Sequence, residues 1–335
     1  SLSMTFPARD LKKEAAERLQ ASQNQKDIVL LYAAVTLGVS CLCTLLQFLL
    51  SSQISHTGGL AGMGTRSFFS ALSSFLPILS AIVTMCMSFG YLGGMVRISR
   101  GQYASRNALK TGYERFWPLL RLKLLLSAIL LGFALCASYL ASFLFLLSPF
   151  SDRFMSAVSP AISGGSLLSG GSIVLDESTL DALYAASGPL IVIFAVVILA
   201  VLVPVLYRYR MADYILYDHP EAGALYALRE SRKMTRGSRL GLFKLDLSLW
   251  WYYALTLLCA VLSYGDVLLS LAGISLPIGD TACFTLFYVL SLAANFTLLY
   301  FLRNRVEVTY ALAYGQLKPK EQPQSGVVLG NIFQM

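Results

Sequence analysis

Six long stretches of the sequence carry no charge in their central parts, and no other feature narrows the range of folds so far. They are residues 28–50, 68–96, 119–147, 189–207, 247–264 and 281–302. A bilayer's hydrocarbon core, about 30 Å thick, is crossed by about 20 apolar residues in an α-helix. In that medium every backbone N–H and C=O must be satisfied internally, which a helix achieves and an open strand does not. Composition points the same way: 13% of the residues are charged, against roughly 25% in a soluble domain. The sequence therefore predicts an all-α fold, a polytopic membrane bundle of six transmembrane helices.

Lysine and arginine orient the bundle. Of the 26 basic residues, all but Arg66 and Arg153 fall on one side of the predicted spans. Such an excess marks cytoplasmic segments. It places both termini, the loop between spans two and three, and the loop between spans four and five in the cytoplasm. Trp117, Trp250 and Trp251 sit beside these basic loops, as in an interfacial aromatic belt. The expected organisation is a cytoplasmic amphipathic helix in residues 1–27, a membrane domain over 28–303 and a cytoplasmic tail over 304–335. Residues 1–27 contain no apolar run, so no cleavable secretory signal is expected. Arg121 and Lys123 open the third span, where long side chains snorkel to headgroups.

Three cytoplasmic pieces have helical apolar spacing. Leu11, Ala15 and Leu19 line one side of the first, with Glu14 and Arg18 spaced for an i,i+4 ion pair. Leu109, Tyr113, Phe116 and Trp117 repeat in the second. In the third, Asp218 can cap, Pro220 opens the first turn, Leu225 and Leu228 supply an apolar edge, and Gly237 can end the helix. Each piece either lies in the headgroup layer or packs beneath the bundle. The outer segment 148–187 is a long loop with glycine- and serine-rich runs at 163–172 and a short helix expected over 176–186. A second outer segment, 266–279, can dip back into the membrane.

Several chemistries lack their residues. His56 and His219 lie on opposite sides of the membrane, and there is no HExxH or paired CxxC for zinc. The six cysteines lie in or beside apolar blocks, so no disulfide framework is expected. Cys41 and Cys43 are two apart on a helix and point to different faces. The acids of Gly265-Asp266 and Gly279-Asp280 both sit near the outer surface, not opposed within the bilayer as an aspartyl protease needs. The glycines of 58–64 lack the strand, helix and lysine of a phosphate loop. No metal site, cofactor, nucleic-acid partner or enzymatic activity is expected.

Polar groups at membrane depth mark ligand pathways. Asn295 lies mid-span in the sixth stretch, one turn after Ser291. Tyr252 and Tyr253 lie near the inner end of the fifth, and Gln47 near the outer end of the first. Gly90, Gly93 and Gly94 close the second. Asn295, Tyr252 and Gly93 are the candidates for lining a cavity among the spans. Against that, a buried asparagine commonly bonds a neighbouring helix, and glycines permit close helix approach. No ionisable residue falls at mid-span. Arg229, Arg232, Lys233 and Arg236 are the inner-face candidates for binding anionic lipid or a protein partner.

The run Ala227-Leu228-Arg229-Glu230-Ser231-Arg232-Lys233-Met234-Thr235-Arg236-Gly237, followed by Leu242-Phe243-Lys244-Leu245-Asp246-Leu247-Ser248, is the most distinctive in the chain. It resembles the hallmark of the bacterial integral membrane family catalogued as "domain of unknown function 975": Ala-Leu-x-x-Ser-x-x-Met-x-x-Gly, a basic residue, Leu-Phe and Leu-x-Leu-Ser. Arg9 to Lys13 with Ala15-Ala16 is similar to that family's opening, and Thr309 to Tyr314 to its closing. Thr235 and Arg236 stand where the family often has Met and Lys, and the outer loops are longer. In this stretch Asp246 is placed to pair with Arg239 or Lys244. The resemblance implies a multi-pass protein of a bacterial cytoplasmic membrane and assigns no activity. The leading expectation is a permease-like or lipid- or small-molecule-handling protein. The alternative is an accessory or scaffold subunit docking a partner through the basic loops.

Overall fold

The structure is a computed structural model that describes residues 7–22, 25–56, 62–163 and 177–318. Parts of the glycine-rich runs at 58–64 and 163–172, and residues 319–335, lie outside the described residues. All described secondary structure is helical. In chain order the helices are α1 (Ala8–Ala21), α2 (Gln25–His56), α3 (Met63–Ser99), α4 (Thr111–Glu114), α5 (Phe116–Leu147), α6 (Phe150–Ser163) and α7 (Glu177–Arg208). There follow α8 (Ala212–Asp218), α9 (Gly223–Met234), α10 (Arg239–Ser248), α11 (Trp250–Ser263), α12 (Gly265–Leu271), α13 (Asp280–Leu298) and α14 (Asn304–Leu317).

Among the described residues five helices are long and apolar enough to cross a membrane, and six if α10 and α11, bent by 66°, form one span. The chain is thus a membrane protein built as an all-α bundle. The long helices pair as α2 with α3, α5 with α7 and α11 with α13. Ala137 and Ala141, a small-xxx-small pair, are fully buried in α5, which lets helix backbones approach closely. Helix α7 starts well before residue 189 and absorbs the short helix expected over 176–186. Part of the outer segment read as loop is helical, as α6, packed on α7. Of residues 266–279, the first few belong to α12, packed on α13.

The core sits at one end. Most of the buried apolar side chains form two clusters drawn from α1, the start of α2, the last turns of α3, the start of α5, α8, α9, α10 and α14. This is the end that carries the basic loops, and the short helices form a layer across it beyond the apolar spans. The first amphipathic piece buries its whole predicted apolar side in protein there, whereas the second buries Leu109 but leaves Tyr113 and Trp117 exposed, and the third buries Leu228 but not Leu225. Leu11, Ala15 and Leu19 of α1 pack toward α14 and α3. Ala108, Leu109 and Gly112 press a tight turn and α4 onto α3. At Gly90 and Gly112 the two backbones come so close that a Cβ on either glycine would collide with the other strand of chain. In α9 the buried face is Ala224, Ala227, Leu228 and Ser231, while Leu225 stays exposed.

Asp218 does not cap α9; no side chain does. Its carboxylate instead accepts from Arg100 at the end of α3 (2.8 and 2.9 Å), Tyr314 of α14 (2.8 Å) and Lys318 (2.5 Å). One acid thereby ties together the ends of three helices. Burial opposes its ionisation, but the bonds from Arg100, Lys318 and Tyr314 outweigh that and hold the carboxyl at about 2, below the ordinary 3.8. A carboxyl depressed in the fold stabilises it fully above its unfolded pKa and loses that contribution as pH falls through the folded one. Asp218→Asn is expected to lower stability by about 3 kcal/mol, the scale for breaking a buried ion pair, read by thermal unfolding in detergent. The gap between wild type and variant should be constant above about pH 4 and close toward pH 2.

Candidate functional site

A cavity of about 1,110 Å³ runs from the middle of α2 and α3 down to the layer of short helices. Its upper walls are hydroxylated: Ser40 and Thr44 from α2, Ser80, Thr84 and Ser88 from α3, and Thr256 from α11. In helices such hydroxyls satisfy themselves on the carbonyl one turn back, as Thr44 does on Ser40 (2.9 Å) and Thr256 on Tyr252 (2.9 Å). Pro77 lies in this wall inside α3. Proline has no N–H, so it leaves the carbonyl four residues earlier without its helical partner. That carbonyl belongs to Ser73, and Gln47 of α2 donates to it at 3.2 Å.

Charge collects at the lower end. Lys123 pairs with Asp213 at 2.7 Å. Arg303 contacts Glu307, one helical turn on, at 3.4 Å and donates to the Tyr32 hydroxyl at 3.1 Å. Arg210 stands 3.6 Å from Asp246 and 4.2 Å above the Tyr310 ring. Tyr207 and Tyr253 also donate to Asp246. The acid therefore serves Arg210 and two tyrosines, not Arg239 or Lys244, a correction to the expected pairing. Arg210 comes from another helix end, out of reach of any local spacing rule.

The chain is shaped to deliver Arg303. Helix α13 runs into α14 through a π-turn, Leu299–Arg303, an irregularity frequent at functional sites. Tyr32 and Tyr91 stack at 4.6 Å, and Arg303 lies 5.4 Å from both ring centres. Tyr91 donates to the Asn304 side-chain Oδ1 at 2.5 Å, and the Asn304 Nδ2 donates to the Tyr300 backbone carbonyl at 3.1 Å. Tyr32 also shares a hydrogen bond of 3.0 Å with Ser88. The guanidinium is thus seated on aromatic faces with a single, loosely held carboxylate. The Tyr310 ring, against Arg210, lines the same cavity, and its hydroxyl is buried with no hydrogen-bond partner among the described residues.

Of the three lining candidates, Tyr252 lines this cavity and the other two do not. Asn295 spends its amide on its own helix, on the Ser291 carbonyl (2.9 Å) and hydroxyl (3.4 Å). Gly93 is buried against the Tyr217 ring, where a Cβ would clash. The charged residues of the cavity escaped sequence reasoning because they lie at the ends of the spans or just beyond them, where charge reads as headgroup contact, as it does for Lys123. One signal was present: Arg303, Glu307 and Tyr310 repeat at helical spacing on one face. Arg229, Arg232, Lys233 and Arg236 are all exposed, and Lys233 is paired with Glu230 at 3.3 Å. All six cysteines are free, and no group of three metal-ligating side chains occurs among the described residues.

The hallmark run has a definite structural task. The Ser231 hydroxyl is fully buried, donates to the Arg208 carbonyl (3.1 Å) and accepts from the Met211 N–H (3.2 Å). The Thr235 hydroxyl lies 3.1 Å from the same carbonyl. Carbonyls in the last turn of a helix lack intrahelical partners, and α9 supplies them for α7. Gly237 follows with φ +86°, a left-handed turn that lets the chain double back into α10.

Two substitutions check these roles. Gln47→Leu should strand the Ser73 carbonyl and lower stability by about 1–2 kcal/mol. Ser231→Ala leaves a buried N–H without its acceptor and should cost about 1–3 kcal/mol. Both are read as lowered unfolding temperatures in detergent.

A family model described as "Protein of unknown function (DUF975)" matches residues 4–318 of the chain. No curated protein and no solved structure matches it.

Proposed function

We propose that this chain, which belongs to the DUF975 family, binds an organic anion in the cavity and passes it along the bundle, as a permease-like, non-enzymatic protein. The observation that carries the reading is the state of Arg303 and Arg210. Each guanidinium has five donors in a planar fork, yet each meets its carboxylate at only one long contact, 3.4 and 3.6 Å. Ion pairs this loose can exchange partners when a substrate carboxylate or phosphate enters. Tightly bidentate pairs would resist that exchange. The unpartnered Tyr310 hydroxyl supplies a further donor at the same floor.

The rest of the cavity supports passage. Pockets for small molecules run to roughly 300–1,000 Å³, so about 1,110 Å³ accommodates a metabolite-sized solute or the headgroup of an amphiphile. Hydroxyls above the charged floor offer weak, replaceable hydrogen bonds, which suit a route better than a trap. Charged groups within a membrane bundle characteristically line substrate paths. In this reading the basic end faces the cytoplasm of a bacterium, both termini with it, and the charged floor lies at the cytoplasmic side of the membrane.

The test is native mass spectrometry of the protein extracted gently from its own membranes. An anionic small molecule should accompany the wild type. Arg303→Gln should retain about tenfold less of it, the loss of one charge-assisted contact, while still eluting as a folded species. A folded wild type that carries no anion, or an Arg303→Gln variant that retains it fully, overturns the reading.

A further inference from the structure

A second cationic site lies outside the cavity, where the end of α7 meets α9 and α10. Arg208 closes α7, Arg232 lies in the last turn of α9, Arg236 follows it and Arg239 opens α10. The Ser231 and Thr235 hydroxyls, both on the Arg208 carbonyl, bring these segments together. The charges of Arg208, Arg232 and Arg236 all act on the Arg239 guanidinium. Among the described residues none of the four forms an ion pair. The Nε atoms of Arg208 and Arg239 are buried without a hydrogen-bond partner. Gathering four like charges and desolvating two of their donors is costly unless an anion completes the arrangement.

The surroundings say which anion. Guanidinium forks match the oxygens of a phosphate. Starting beside Arg239, α10 exposes Leu240, Phe243 and Leu247, spaced i, i+3 and i+7 on one face. An exposed apolar stripe next to a cationic cluster at a span end is the complement of an amphiphile with a phosphate head. We propose that Arg208, Arg232, Arg236 and Arg239 hold the phosphate of an anionic phospholipid whose acyl chains lie along Leu240, Phe243 and Leu247. Anionic lipid is enriched in the cytoplasmic leaflet, which the basic end faces in the orientation adopted above. The site does not depend on what the cavity binds. It also redraws the basic surface: Arg208 and Arg239 join Arg232 and Arg236, whereas Arg229 points to solvent and Lys233 is taken by Glu230.

Full-length protein in phosphatidylcholine nanodiscs containing a minor share of phosphatidylglycerol provides the test, with retained lipid counted by native mass spectrometry after release. Wild type should retain phosphatidylglycerol selectively. Arg208→Gln/Arg239→Gln should retain about tenfold less, a loss on the scale of charge-assisted bonds. Arg232→Gln/Arg236→Gln changes two exposed residues, so it keeps the test standing if the first pair destabilises the fold, and it should act in the same direction. Arg229→Gln/Lys233→Gln removes the same charge from the same surface and should retain lipid as wild type does. Arg303→Gln, which alters only the cavity, should also leave retention unchanged.

Equal retention by wild type and both cluster variants overturns the site, as does equal loss in the Arg229/Lys233 control. Loss confined to Arg303→Gln assigns the lipid to the cavity and overturns it too. Inorganic phosphate, titrated onto the detergent-solubilised protein, separates the two sources of the chemistry. Saturable phosphate binding abolished by Arg208→Gln/Arg239→Gln, with no preference for phosphatidylglycerol, keeps the phosphate site and overturns the lipid as its occupant.

Discussion

Lipid gives two apolar helices no hydrophobic reason to associate, because the tails are as apolar as the side chains. This constraint explains where the core lies. The mid-spans of the protein bury little against one another, whereas the basic end buries whole side chains from α1, α8, α9, α10 and α14. There, beyond the hydrocarbon, water makes apolar burial favourable again. The layer of short helices is therefore the folded domain proper, and the long helices are anchored in it by their ends. Asp218 shows how the anchoring is enforced. It joins α3, α8 and α14 through one carboxylate, and the surrounding apolar packing keeps water from competing for it.

The cavity is a consequence of the same layout. Helices held at one end and paired two by two need not close on each other along their length. The gap between them is walled by α2, α3 and α11 and floored by α8 and α14. Charges on the floor belong to the well-packed end, so their positions are set by rigid neighbours. Tyr32 and Tyr91 are buried against the last turns of α3 and the start of α14, and they fix Arg303 from beneath. Higher in the walls, the Thr44 and Thr256 hydroxyls are held by their own helices. The floor is thus the part of the cavity that packing fixes most firmly.

How much of this could be read in the sequence follows from the range of each signal. Apolar stretches and i,i+4 stripes are local, so the spans and the buried stripe Leu11, Ala15 and Leu19 were legible, as was the turn at Gly237. The partners of Asp218 and Asp246 were not. Asp218 could be read only against Pro220 and the start of α9, and Asp246 only against Arg239 and Lys244. Their true partners lie in other helices, brought near by packing that spacing cannot express. The same holds for Asn295, whose mid-span position suggested a cavity although its amide is satisfied by Ser291 one turn away. Positions just outside the spans were the least legible. A charge there is ordinary by composition, and only the fold separates one at the headgroups from one turned into the bundle.

The hallmark run illustrates why such a segment can be distinctive without containing a reactive group. Ser231 and Thr235 grip one carbonyl at the end of α7, and Ser231 also grips the N–H of Met211. Between these anchors the chain must turn within three residues, which sends Arg208 and Arg210 to different surroundings. Arg210 enters the cavity above Tyr310, while Arg208 stays with the arginines of α9 and α10. A small hydroxyl is required at 231 because the site is fully buried and must both donate and accept. An alanine could not bond, and a longer polar residue would not fit. The run is a positioning device: by fixing one turn it directs Arg210 to the cavity and holds Arg208 beside Arg232 and Arg236, two arginines that the run itself contributes.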